Sequence, residues 1–156
     1  MRIRAYWLAV PALLAGAIAT FFLLQVQEGT AAGSIDPANR QLVSLGQDVY
    51  AAQCASCHGA NLEGQADWKI RLDNGRLPAP PHDASGHTWH HPDRQLFEIT
   101  KYGVERHAPP GYESDMPAFE HILSDREIIA ALAYIKSTWP AEIRARQQSI
   151  TRKAEK

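Results

Sequence analysis

Both cysteines of this 156-residue chain lie within five positions, Cys54-Ala55-Ser56-Cys57-His58, and a histidine closes the run. Two thiols and an imidazole on one turn can serve only a few chemistries, so this cluster restricts the fold more than any other feature. A redox dithiol of C-x-x-C spacing opens a helix in a βαβ setting. Here the cysteines follow a helical pattern, and no run of the chain alternates like a strand. A structural zinc site needs four ligands, two of which would have to come from His82, His87, His90, His91 or His107. A disulfide across two intervening residues closes too short a loop to stabilise much.

The surrounding pattern is helical. In 39–54, Leu42, Leu45, Val49 and Cys54 fall on one stripe, with Val43, Gly46 and Tyr50 beside it, which predicts a helix ending near Cys54. A second helix is expected from Pro92-Asp93 to a stop at Gly103, with Leu96, Ile99 and Tyr102 on one face and Phe97 beside them. The third has a capping box, Ser124-Asp125-Arg126-Glu127, followed by Ile128, Leu132, Ile135 and Trp139 on one face and a break at Pro140. Between Gly59 and His91 lie about thirty residues with little regular pattern, long for a loop in a small domain. A large flat cofactor filling the middle would remove that objection.

The ends differ from the body. Arg2 and Arg4 precede an uncharged run from Ala5 to Gln27 that is longer than a signal-peptide apolar region and long enough to span a membrane. The arginines place the N-terminus in the cytoplasm and the remainder outside it. Run length favours an uncleaved anchor over 1–27, with a linker over 28–38. The small residues of Gly29–Ser34 leave open cleavage near Ala32, which would give a soluble periplasmic product. From Gly33 to Pro140 there are nine Lys/Arg against fourteen Asp/Glu, and from Ala141 to Lys156 five against two. The body over 39–140 is thus acidic and the tail over 141–156 basic; the tail is compatible with a helix but has little to bury, so it is expected to be mobile. With a formal net charge of -1, nothing marks the chain as a nucleic-acid binder.

The haem reading uses every part of the cysteine cluster. C-x-x-C-H is an attachment signature for c-type haem: Cys54 and Cys57 each form a thioether with a haem vinyl group, and His58 presents Nε2 to the iron. The stretch "LGQDVYAAQCASCHG" together with "ALAYIKSTWP" (Ala131 to Pro140) resembles the class I cytochromes c, over about Ser34 to Pro140. The resemblance implies an all-α cytochrome c fold, three main helices and long loops around one covalent haem c. In it Gly46 and Tyr50 would meet the C-terminal helix, with Tyr134 at its aromatic position. It also implies Met116, in "ESDMPAFEHI", as the sixth ligand, with His107 or His121 as substitutes. The carbonyl of Pro80 would fix the His58 ring, although His82 stands where leucine is commoner. Trp89 would donate its indole N–H to a haem propionate or pack on the haem edge. The histidines of "GHTWHHPD" (His87, His90, His91) read as an exposed polar loop before they read as a metal site.

The expected role is a one-electron carrier rather than an enzyme. Its expected place is the periplasmic side of a bacterial cytoplasmic membrane, held by the N-terminal helix. Its expected partners are redox proteins: a quinol-oxidising complex or a dehydrogenase as donor, a terminal oxidase as acceptor. The sequence leaves two alternatives open. One is a haem-based small-ligand sensor or peroxidase with a displaceable sixth ligand; the other is a fixed cytochrome subunit of a membrane oxidoreductase.

Overall fold

A computed structural model of the chain describes residues 34–156. The segment expected as an anchor (1–27) and most of the expected linker lie outside the described residues. Among the described residues there is no strand, and no helix is long and apolar enough to cross a membrane. Ile35, near the start of the described residues, belongs to the buried core.

Helix α1 spans Arg40–Gln53, and Asn39 caps its start by accepting a hydrogen bond from the Leu42 N–H at 3.1 Å. A single turn, α2 (Ala55–His58), follows directly and is stopped by Gly59 at φ +83°. Helix α3 (Asp93–Tyr102) ends at Gly103, whose φ of +93° favours glycine. Helix α4 (Asp125–Ser137) opens with the capping box: Ser124 Oγ accepts from the Glu127 N–H, and a Glu127 carboxylate oxygen accepts from the Ser124 N–H. Short 3-10 turns occupy Thr88–His90 and Val104–His107.

The core is built where α1 crosses α4. A Cβ added to Gly46 would lie 1.9 Å from the Ala130 carbonyl oxygen, so only glycine lets the two backbones come this close. Tyr50 and Tyr134 meet beside the crossing with ring centroids 5.4 Å apart. Ile128, Leu132 and Ile135 from α4, Trp139 just beyond its end, and Leu96 from α3 are buried in one apolar cluster with them.

The basic tail departs from the expected mobility. It is a helix, α5 (Ala141–Ala154), docked on the body. Gln147 and Thr151 are buried, and their contacts converge on the start of α3. The Gln147 amide donates to His91 O at 3.1 Å and to Asp93 Oδ1 at 2.7 Å, and Thr151 Oγ1 accepts from the Asp93 N–H at 3.1 Å. Lys136 of α4, itself buried, donates to both carboxylate oxygens of Asp93 at 2.7 and 2.8 Å. Arg144 donates to the Trp139 carbonyl at the end of α4. The tail therefore buries polar groups through the Gln147 amide N–H and Thr151 Oγ1, while Gln147 Oε1 is buried without a partner, and a search for apolar periodicity does not detect such a face.

Candidate haem-binding site

The cysteine cluster is shaped by the junction of α1 and α2. Cys54 ends α1, its N–H donating to Tyr50 O at 2.9 Å, and the chain then turns so that Cys57 is exposed and His58 is buried. Neither cysteine is in a disulfide. Burial, then the neighbouring Cys57, push the Cys54 thiol up to about 11. The Tyr50 hydroxyl reaches over the turn and donates to Gly59 O at 2.9 Å, so the α1–α4 crossing and the turn are tied together. Burial above all raises the Tyr50 phenol, which stays protonated.

His58 is 7% exposed. Its Nδ1 lies 2.9 Å from the Pro80 carbonyl oxygen. A carbonyl can only accept, so Nδ1 carries the proton and Nε2 keeps its lone pair. Burial holds the imidazole below its usual pKa, against the opposing pull of the Pro80 carbonyl. A neutral ring with one nitrogen fixed and the other free is the form that binds a metal.

Pro80 is brought to His58 by a loop with little regular structure but definite ties. Gly64 N–H donates to His58 O at 2.7 Å, Gln65 N–H to Ala79 O at 2.9 Å, and Ala79 N–H to Gln65 Oε1 at 2.8 Å. Two glycines then clamp the Pro80-Pro81 strip. A Cβ on Gly64, whose φ is +68°, would fall 2.4 Å from Pro81 N; one on Gly86 would fall 1.9 Å from Pro81 O. Neither glycine was singled out from the sequence: Gly86 stands five positions after Pro81, but Gly64 lies 16 positions before Pro80 and nothing in the sequence links it to that pair. Leu62, in the left-handed region at φ 69°, is buried and its carbonyl accepts from the His82 N–H at 2.8 Å.

His82 occupies the space beside the His58 ring. The two imidazoles stack with centroids 4.0 Å apart at 24°, and Tyr50 meets His82 edge-on at 6.3 Å. His82 Nδ1 pairs with Thr88 Oγ1 at 2.8 Å, and its carbonyl accepts from the Trp139 indole N–H at 2.7 Å. Burial, then His58 and His87, push its pKa well below the usual value. The residue that departs from the leucine of the resemblance is thus hydrogen-bonded at three atoms and joins loop, ligand turn and α4.

Met116 is partly buried and packs against the same apolar cluster as Cys54 and Trp89. Its N–H donates to Ser114 Oγ at 3.1 Å. Of the two substitutes, His121 is at the surface with its side chain 90% exposed, and His107 lies 3.5 Å from Glu98. Trp89 donates its indole N–H to Ala84 O at a long 3.3 Å and stacks on His90 at 3.7 Å, with the Arg146 guanidinium of α5 4.8 Å from its ring. The remaining histidines are engaged by rings: His87 stacks on Trp68 at 5.3 Å and meets His91 edge-on at 5.5 Å. Among the described residues no group of three or more His, Cys, Asp or Glu side chains is arranged to hold a free metal ion.

The residues fit a covalently held haem: two cysteines at the attachment spacing and outside any disulfide, a buried imidazole with Nδ1 committed and Nε2 uncommitted, and Met116 packed against the same apolar cluster as Cys54. Comparison with known proteins agrees. The profile of the family described as Cytochrome c matches residues 43–139, and the chain belongs to that family as a class I c-type cytochrome with one covalent haem c and its iron. A curated relative, the "Cbb3-type cytochrome c oxidase subunit FixP" of Sinorhizobium medicae (strain WSM419), is 29% identical over 106 residues. That match covers 64% of this chain and 32% of FixP, so the chain spans about a third of its relative's length. No solved structure matches.

Proposed function

We propose that the chain is a one-electron carrier whose haem c is attached through Cys54 and Cys57, with His58 and Met116 as the axial ligands. The 2.9 Å pairing of His58 Nδ1 with Pro80 O carries this reading, because it commits one ring nitrogen and leaves the other to the metal. When bound, haem c supplies an iron that alternates between Fe(II) and Fe(III). The chain's own residues do the rest. Cys54 and Cys57 would retain the group, Pro80 and the stacked His82 hold the His58 ring in one orientation, and Trp89 would pack at the haem edge. A Met116 thioether would exclude oxygen from the second axial position and raise the potential relative to a second imidazole. No bond is made or broken on a substrate, so the role is carriage and not catalysis.

In this reading the apolar run before Gln27 tethers the domain on the periplasmic face of a bacterial cytoplasmic membrane. The tether keeps it at high local concentration near membrane-bound redox partners, a quinol-oxidising complex or dehydrogenase as donor and a terminal oxidase as acceptor. A second reading, a fixed cytochrome subunit of a larger oxidoreductase, is favoured by one observation, the oxidase-subunit description of the FixP relative. Co-purification after mild detergent extraction separates the two.

The visible spectrum of the reduced protein before and after carbon monoxide tests the ligation. A low-spin c-type spectrum that carbon monoxide leaves unchanged supports the carrier. Ready binding of carbon monoxide means a displaceable sixth ligand, and transfers the reading to a small-ligand sensor or peroxidase.

A further inference from the structure

Met116 sits between two anchors of different kinds. Downstream, the anchor is part of the core: Phe119 is buried, its N–H donates to Thr100 O at 3.1 Å, and the next N–H, of Glu120, donates to Lys101 O at 2.9 Å. Upstream, the anchor is a single guanidinium at the surface. Arg76 Nη1 binds Asp115 Oδ1, the residue immediately before Met116, while its Nη2 and Nε reach Glu113 Oε2 at 3.1 and 3.4 Å. Arg71 adds a contact nearby, its guanidinium 5.6 Å from the Tyr112 ring. The arginine does not hang from a loose segment. Its carbonyl accepts from the Leu72 N–H at 2.9 Å, its N–H donates to Asn74 Oδ1 at 3.0 Å, and Gly75 N–H donates to Leu72 O at 2.8 Å, closing a tight turn.

Arg76 also stands four residues before Pro80, whose carbonyl holds His58. One cation therefore joins the loop that orients His58 to the loop that carries Met116. We infer that Arg76 is a positioning residue for the sixth ligand: by binding Asp115 and Glu113 it keeps the Met116 thioether at the iron against competing ligands. The inference rests on the His58/Met116 reading and adds what holds Met116 in place. Two exposed ion pairs sharing one guanidinium are each weak and screened by salt. The clasp should accordingly be modest in strength and sensitive to ionic strength, so that the hold on Met116 loosens as salt rises.

The test uses the full haem-loaded chain in its oxidised form, with the long-wavelength sulfur-to-iron charge-transfer band as the ligation signature and imidazole as the competing ligand. Arg76→Gln should weaken the band and raise imidazole affinity roughly fivefold, with the melting temperature close to that of the parent. The parent's imidazole affinity should rise with added salt, and that of Arg76→Gln should not. Arg76→Glu should be worse than Arg76→Gln, and adding Glu113→Arg should restore part of the loss, which a purely structural role for the arginine would not produce. A parent without the band, or a Met116→Ala variant that keeps it, overturns the ligand assignment and the clasp together. A parent with the band, and an Arg76→Gln variant with unchanged band and unchanged imidazole affinity, overturns the clasp alone.

Discussion

Where α1 crosses α4, contact is made by shape: a missing Cβ at Gly46, two tyrosine rings, and a continuous set of buried aliphatic side chains. Between Gly59 and His91 almost nothing is regular, and the chain is held by individual hydrogen bonds and two more close approaches at Gly64 and Gly86. The first region tolerates side-chain motion because many contacts share the load. The second does not, because the Pro80 carbonyl must reach one ring nitrogen at 2.9 Å. The lesson is that the less regular region is the more precisely specified one where chemistry depends on it.

Four substitutions probe that contrast. Gly46→Val places a branched side chain where even a Cβ meets Ala130 O at 1.9 Å, and overpacking of that severity should cost about 3 kcal/mol or more. Chemical denaturation should show it as failure of the whole domain. Gly64→Ala combines a φ of +68° with a Cβ 2.4 Å from Pro81 N and should cost about 2 kcal/mol. Here the decisive readout is different. Helical circular dichroism should be retained while the haem spectrum and reduction potential change, because the displaced strip carries Pro80. If Gly64→Ala unfolds the helices as Gly46→Val does, the two regions are not separable.

Trp139→Phe keeps the ring in the core but removes the indole N–H from the His82 carbonyl, a loss of about 1 kcal/mol. It cuts a direct tie between α4 and the loop, so hydrogen exchange should rise around His82 and not in α1. The smallest effect is expected for Ser124→Ala, which removes an N-cap from α4 and should cost about 1 kcal/mol or slightly less. Its thermal midpoint should fall with no change in the haem spectrum.

The three main helices were legible because each carries an apolar stripe and a stop or cap: Cys54 after α1, Gly103 after α3, Ser124 and Pro140 around α4. The attachment turn was legible for a chemical reason, since no other arrangement employs both thiols and the next imidazole. The path of the 59–91 loop was not, because its shape comes from glycine–proline contacts and side-chain-to-backbone bonds that leave no periodic trace. The residues that tie Met116, Arg76 with Glu113 and Asp115, are 37 and 39 positions apart in the chain and read as ordinary surface charges. The docking of helix α5 was not legible for a third reason. Its buried residues are Gln147 and Thr151, with Ile143 partly buried against the core, and a mainly polar face becomes an inside face only when specific donors and acceptors lie opposite.

The corner at Asp93 has a consequence for the order in which the molecule assembles. The carboxylate and N–H of this residue are bonded to Lys136, Gln147 and Thr151, between 43 and 58 positions later in the chain. During synthesis from the N-terminus, the attachment turn at Cys54–His58 emerges long before any of those three. The thiols are therefore presented for haem attachment while the start of α3 still lacks its partners. Covalent capture of the cofactor can precede closure of this corner, which then seals the domain only when the last helix arrives.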